Sequence, residues 1–186
     1  MVQRVLGVLV LVLGSCIMSP GVAAAQERAP HAGSTAVGVD VGAFIPRDGQ
    51  LDTALIVNAL IEYYVTPRVS LRTDFGLTDP GFSRESADSL RQIPLRFDVN
   101  YNWERGKWHP FVGAGVGAYF LQFKDNGQSL GDSETKAGFN AGGGIEYFTG
   151  RTVSLKGEAR YHAIGKTRAG QNPSGLVFTG GVKKYW

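Results

Sequence analysis

The feature that most constrains this chain is alternation. From about residue 35 to the end, apolar and polar residues exchange places at every second position over long stretches. A period of two predicts strands with two different faces, and no stretch carries a helical period. Eight strands are expected, at about 35–45, 53–65, 69–77, 91–103, 111–123, 135–148, 152–163 and 175–186. Most are near ten residues or longer. A tilted strand that crosses a bilayer needs about 9–11 residues, whereas strands of soluble proteins average about 5–6.

The two faces have opposite chemistry. One carries Val37, Val39, Val41, Leu55, Val57, Ile61, Leu71, Phe75, Phe97, Val99, Val116, Phe139, Leu155 and Phe178, and it is nearly free of charge until Lys184. A hydrocarbon-facing surface requires this, because Lys or Arg at the bilayer midplane costs about 2–4 kcal/mol. The other face carries six acids, Asp40, Glu62, Asp74, Asp98, Glu146 and Glu158, against five bases, Arg72, Arg96, Lys156, Arg160 and Lys183. It also carries Gly113, Gly115, Gly117, Gly138, Gly142 and Gly144. The interior of an eight-stranded barrel is just wide enough for side chains to fill, and glycine walls leave room for long charged ones. A soluble barrel of the lipocalin type would turn its apolar face inward instead.

The connections alternate in kind. Thr66-Pro67-Arg68, the stretch 104–110 and Thr149-Gly150-Arg151 read as compact turns, while 46–52, 78–90, 124–134 and 164–174 read as longer polar loops. Short turns at one end and long loops at the other is the asymmetry of outer-membrane barrels, with the short turns in the periplasm. Aromatic residues gather near the short turns: Tyr63, Tyr101, Trp103, Tyr147 and Trp186 as membrane-interface anchors, with Tyr64, Phe111, Phe148 and Tyr185 beside them. The expected fold is therefore all-β: a closed, antiparallel, eight-stranded up-and-down transmembrane β-barrel. Closure is obligatory, since an open sheet edge cannot sit in lipid.

The first residues have another purpose. Arg4, the apolar run 5–13 and Ala23-Ala24-Ala25 have the form of a secretory signal peptide, cleaved after Ala25. The expected organisation is signal peptide 1–25, a flexible leader 26–34, and a barrel domain 35–186. Cys16 lies in a poor lipoprotein box, and after cleavage at Ala25 no cysteine is left. The mature chain has 18 basic and 16 acidic residues, because Arg4 leaves with the signal. That balance does not suggest nucleic acid.

Several segments carry a resemblance. They are Glu62-Tyr-Tyr-Val-Thr-Pro-Arg-Val-Ser-Leu-Arg72, Ile93-Pro-Leu-Arg-Phe-Asp98, His109-Pro-Phe-Val-Gly-Ala-Gly-Val-Gly-Ala-Tyr119, Gly142-Gly-Gly-Ile-Glu-Tyr-Phe148 and Leu155-Lys-Gly-Glu-Ala-Arg-Tyr161. Across the mature chain they resemble the small outer-membrane β-barrel proteins of the porin family, similar to the OmpA transmembrane domain, OmpX and OmpW. The resemblance implies an integral outer-membrane protein of a Gram-negative cell envelope. It further implies outer-membrane lipid and lipopolysaccharide around the barrel, assembly machinery that reads the C-terminal strand, and a monomer. These motifs assign no catalytic residue, and the chain ends in Trp186 where the family usually ends in phenylalanine.

The candidate site is the inward charge set: Asp40, Glu62, Arg72, Asp74, Arg96, Asp98, Glu146, Lys156, Glu158 and Arg160, with Lys183 beside it. If the 66–68 turn is tight, Glu62 lies opposite Arg72, and a buried salt bridge between them is expected. The network reads as a plug of mutually satisfied ions in a non-enzymatic envelope protein. The alternative is a narrow porin-like channel for water, ions or small solutes. An outer-membrane deacylase would need a hydroxyl two residues beyond His162, where Ile164 stands. His31, His109 and His162 have no metal-ligand spacing, so neither a metal nor a cofactor is expected. The stretch 48–52 lacks the pattern of a calcium loop, and His162 is expected to be solvated or salt-linked at the barrel mouth. In the long loops, Arg84, Glu85, Asp88, Arg91, Lys124, Asp125, Asp132, Glu134 and Lys136 are candidates for surface contacts.

Overall fold

A computed structural model describes residues 30–82, 85–103, 106–125, 128–129, 133–168 and 170–186. The segment 1–25 expected to be a signal peptide, with Cys16, and the loop residues Arg84 and Asp132 lie outside these. Among the described residues the chain forms strands β1 (Thr35–Pro46), β2 (Ala54–Tyr64), β3 (Val69–Thr78), β4 (Gly81–Phe82), β5 (Glu85–Asn102), β6 (Trp108–Asp125), β7 (Gln128–Ser129), β8 (Glu134–Phe148), β9 (Val153–Ile164) and β10 (Gly175–Tyr185). Eight of them are long. The two-residue strands β4 and β7 merely extend the sheet at the edges of β5 and β6.

Each long strand pairs antiparallel with its neighbours in sequence, and β1 closes on β10 from Ala36↔Tyr185 to Pro46↔Gly175. No long strand is left as an edge, so the backbone of the wall is satisfied within the sheet, as hydrocarbon surroundings demand. The eight-stranded closed barrel expected from alternation is the fold observed.

The pleat sorts the residues as their parity requires. Leu55 is 67% exposed and Ile56 1%; Phe97 is 56% exposed and Asp98 3%. The outer surface presents Val41, Ile61, Leu71, Phe75, Val99, Val112, Val116, Phe139, Leu155 and Phe178, while the charged residues are buried within. This inverts the usual distribution of a soluble protein. It suits a lipid exterior, where apolar side chains gain nothing from turning inward.

The strands reach further than alternation indicated. β5 and β6 form a tall hairpin paired from Asn102↔Phe111 up to Asp88↔Asp125, so most of the loop expected at 78–90 is strand. Polar residues dominate the sequence of that stretch, which hides the period of two. The start of the barrel also differs. Gly33 N–H donates to the Tyr64 carbonyl at 2.8 Å, Tyr64 N–H to the Ser34 carbonyl at 2.9 Å, and Ser34 is fully buried. The leader, expected to be flexible up to residue 34, is thus tied to the barrel from Gly33.

The glycines are crowded by their neighbours. A Cβ on Gly142 would stand 2.3 Å from the Ala159 carbonyl oxygen, and one on Gly144 2.1 Å from that of Gly157. At Gly115 it would meet Asp98 Oδ1 at 2.1 Å. These glycines let the adjacent strand and its polar side chains lean across the lumen wall. Gly157, on the outer face, has nothing within 4 Å of an added Cβ. Gly142→Val should therefore destabilise the barrel by about 1–3 kcal/mol through overpacking, while Gly157→Val should be close to neutral. Urea unfolding of the refolded barrel in lipid vesicles measures both, and equal effects would contradict this packing of the wall.

Candidate functional site: a layered charge network in the lumen

The lumen is built in layers from the short-turn end upward. The floor is apolar and aromatic: Ala36, Tyr64, Phe148 and Tyr185 form one buried cluster. The Phe148 and Tyr185 rings lie 5.2 Å apart, and His109 packs on Phe148 at 4.6 Å. Tyr64, Phe111, Phe148 and Tyr185, grouped by sequence with the interface aromatics, thus point inward and are at most 6% exposed. Their parity is that of the charged face, which proximity in sequence obscured. The outward aromatics at this end are Tyr63, Tyr101, Trp103 and Trp186, at 39–50% exposure, with Tyr147 half-buried. Trp108 joins them, 51% exposed and 4.6 Å from the Tyr147 ring.

Directly above the floor, Lys183 is shared between two carboxylates. Its Nζ lies 2.6 Å from Glu62 Oε2 and 2.8 Å from Glu146 Oε2. The other oxygen of each glutamate is also occupied. Glu62 Oε1 accepts from Ser70 Oγ at 2.5 Å and from Asn100 Nδ2 at 3.2 Å. Glu146 Oε1 accepts from the Ser154 and Tyr185 hydroxyls. The expected Glu62–Arg72 salt bridge does not form. The two residues are register partners across β2 and β3, as the tight turn requires. Glu62 nevertheless bonds downward to Lys183, and Arg72 bonds upward to a different set of acids. Cross-strand pairing fixes the Cα positions, but long side chains choose partners across the whole narrow lumen.

The next layer holds four acids and four bases. Arg72 pairs with Asp74 at 2.9 Å, with Glu158 at 2.8 Å and with Asp98 at 3.4 Å. Arg160 pairs with Glu158 at 2.7 Å and Asp98 at 3.2 Å, and Arg96 pairs with Asp74 at 3.0 Å. Lys156 joins Asp40 at 2.6 Å to Glu158 at 2.9 Å. Asn100 links the layers, accepting from Arg160 Nη2 at 3.3 Å through Oδ1 while its Nδ2 donates to Glu62. All of these side chains are at least nine-tenths buried.

The charge count separates the layers. Asp40, Asp74, Asp98 and Glu158 balance Arg72, Arg96, Lys156 and Arg160 (−4 + 4 = 0). In the lower layer, Glu62 and Glu146 face Lys183 alone (−2 + 1 = −1). The origin of the excess is legible in an internal repeat. Ile61-Glu62-Tyr63 with Val69-Ser70-Leu71 recurs as Ile145-Glu146-Tyr147 with Val153-Ser154-Leu155, 84 positions on (146 − 62 = 84). In each copy the serine, eight residues on, donates to its glutamate. Lys183 stands across from Ser154, and the equivalent place across from Ser70 is taken by neutral Asn100. Two similar hairpins thus supply two glutamates, and only one of them is given a lysine.

The top of the lumen is apolar again. Phe44, Ile56 and Val177 pack together, and Leu51, Leu90, Tyr119, Leu121 and Ile164 form a cap with Phe82 and Phe123 against it. His162 lies beneath this cap, 2% exposed, so of the two states expected at the mouth, solvated or salt-linked, burial excludes the solvated one. Arg96 Nη1 lies 3.0 Å from its Nε2, and because Arg can only donate, Nε2 accepts. Above the rim, Asp79 ties the tall hairpin to β3. It accepts from Arg91 Nη2 and Lys124 Nζ, each at 2.9 Å, and from Ser89 Oγ at 3.0 Å. Burial acts to raise the Asp79 pKa, but these hydrogen bonds outweigh it and hold the carboxyl below its ordinary value. The stretch 48–52 is a turn, with Asp48 accepting from Gln50 N–H at 3.1 Å and from Asn172 N–H at 2.9 Å. Glu134 pairs with Lys136 at 3.0 Å.

The comparisons with known proteins fit this geometry. The model of the outer membrane protein beta-barrel domain matches residues 8–183. The chain belongs to that family. It is an outer-membrane barrel of the kind found in Gram-negative bacteria. Among solved structures, Neisserial surface protein A is similar with a TM-score of 0.70 and 16% identity, over 82% of this chain and 98% of that one. OprG from Pseudomonas aeruginosa is similar with a TM-score of 0.67 and 12% identity, over 87% of this chain and 99% of that one. Ail, the attachment invasion locus protein of Yersinia pestis, gives 0.58 and 12%, over 83% and 99%. At these identities the likeness concerns the fold. No curated protein matches in sequence.

The charge count has a consequence for stability. Lys183→Met leaves two buried carboxylates facing each other and should cost about 3–5 kcal/mol. Glu62→Gln removes the excess charge and keeps an acceptor for Ser70, so it should cost only about 1 kcal/mol. Urea unfolding of both variants in vesicles gives the ranking, and Glu62→Gln proving the worse would overturn the assignment of charge to this layer.

Proposed function

We propose that this chain is a non-enzymatic barrel of the cell envelope whose lumen is a plug, and which acts through membrane integrity and through contacts of its long loops at the surface. The observation that carries this reading is the succession of layers: an aromatic floor, two ionic layers whose members bond one another, and an apolar cap. An open pore keeps its charged side chains against a continuous water path. Here the charged side chains are at least nine-tenths buried and end on each other.

Removal of a signal at 1–25, insertion by assembly machinery that reads the C-terminal strand, lipopolysaccharide around the loop end, and a monomeric barrel belong to the same proposal. Arg47, Lys166 and Arg168 are exposed at that rim and suit the phosphates of lipopolysaccharide. The second reading, a narrow channel, is favoured by the single unbalanced charge beside Lys183. Negative charge in excess would select cations if the layers parted.

Planar-bilayer recording of the refolded mature protein decides between the two, with a heat-shifted gel band as the control for folding. The plug predicts no conductance steps above the bilayer background. Reproducible cation-selective steps from the folded barrel would replace the plug with the channel.

A further inference from the structure

We propose that the periplasmic rim of this barrel is a binding surface for anionic phospholipid of the inner leaflet, with its most complete seat at Arg151, Thr152 and Lys184. The two rims of the barrel differ in charge. Outside the lumen, the side-chain carboxylates among the described side chains, those of Asp48, Asp52, Asp79, Asp88, Asp125 and Glu134, all belong to the long-loop end. The short-turn end has none among the described residues. Instead, among the described residues, it places one exposed cation on each turn: Arg68 between β2 and β3, Lys107 between β5 and β6, and Arg151 between β8 and β9. In sequence, Glu104 and Arg105 of the middle turn cancel in charge.

Lys184 adds a fourth cation, in a more telling position. It shares the outward parity of Val182 and Trp186, so its stem lies against lipid, and it stands across from Val153, next to the 149–151 turn. Its Nζ donates to Thr152 Oγ1 at 3.0 Å. That one contact leaves two of its three N–H donors for another acceptor. Arg151 is the next residue along. Two cations and a hydroxyl in one place suit a phosphate diester.

The aromatic residues fix the depth of this ring. Tyr63, Tyr101, Trp103, Trp108 and Tyr147 lie just inside the turn cations on the outer surface, and Trp186 follows Lys184 at the strand end, all at the level where Trp and Tyr mark the headgroups. The turn cations therefore sit at or just beyond the phosphates of the inner leaflet, Lys184 reaches them from within the aromatic belt, and a lipid headgroup is the partner that this depth selects. The proposal stands whether or not the lumen conducts.

The chain supplies its own probe, because its three tryptophans, Trp103, Trp108 and Trp186, all lie at this end. The mature barrel, reconstituted in phosphatidylcholine vesicles, is titrated with brominated phosphatidylglycerol and, separately, with brominated phosphatidylcholine, and tryptophan quenching gives the relative affinity. A roughly fivefold preference for the anionic lipid is expected for each cation that reaches a headgroup, weakening as salt is raised. The combined variant Arg68→Gln, Lys107→Gln, Arg151→Gln and Lys184→Gln should abolish the preference. Arg151→Gln with Lys184→Gln should remove most of it, and Arg47→Gln with Lys166→Gln and Arg168→Gln at the opposite rim should leave it intact. A heat-shifted gel band confirms folding of each. Equal quenching by both lipids, or a preference that survives the four-residue variant, would overturn the proposal. Equal quenching together with cation-dependent retention on peptidoglycan would assign the rim to that polymer instead.

Discussion

Everything in this molecule depends on the pairing of β1 with β10. A sheet in hydrocarbon has no water to satisfy an open edge, so the wall must close, and with eight strands it closes on a space no wider than its own side chains. Closure then dictates the interior. Alternation sends one apolar set to the lipid and one polar set inward, and the inward set must find its partners within that space.

The interior meets this demand by layering. Apolar side chains stand at both ends, and the ions lie between, so each charge ends on another charge or on a neutral donor. Arginine serves three of the four basic places in the upper layer, where its planar fork bridges several acids at once. Lysine serves the lower layer, where a compact cation must reach two carboxylates from one point. The repeat of two hairpins accounts for the twin glutamates. Asn100 in the second lysine's place accounts for the unbalanced charge, and it also fastens this layer to the one above.

The wall was legible in the sequence because the period of two survives wherever one side of a strand meets lipid. Leu71 beside Arg72 and Phe97 beside Asp98 declare their faces without ambiguity. The period fades where both faces leave the membrane, which is why the stretch 85–90 read as loop although it is strand. Parity also places the charged residues inside, and Tyr64, Phe148 and Tyr185 share that parity although their nearness to the outward aromatics masks it. Partner choice was beyond reach. Register set Glu62 across from Arg72, but Lys183 lies 121 residues away in sequence, and nothing local signals that a lysine on the last strand ends between glutamates of β2 and β8. Asn58, Asn100 and Asn140 share the inward parity, and that signal would have found them. The Asp79 clamp had no periodic signature at all.

The lower ionic layer turns on one ammonium group held between two carboxylates. The most direct measurement is nitrogen–carbon dipolar recoupling by solid-state NMR, on barrel in bilayers labelled at the lysine side-chain nitrogens and the glutamate side-chain carboxyl carbons. Lys183 Nζ is expected to be rigid and to be dephased by the carboxyl carbons of both Glu62 and Glu146. A mobile, hydrated Lys183 coupled to neither carboxyl would contradict it, and would mean that the lumen is open to water.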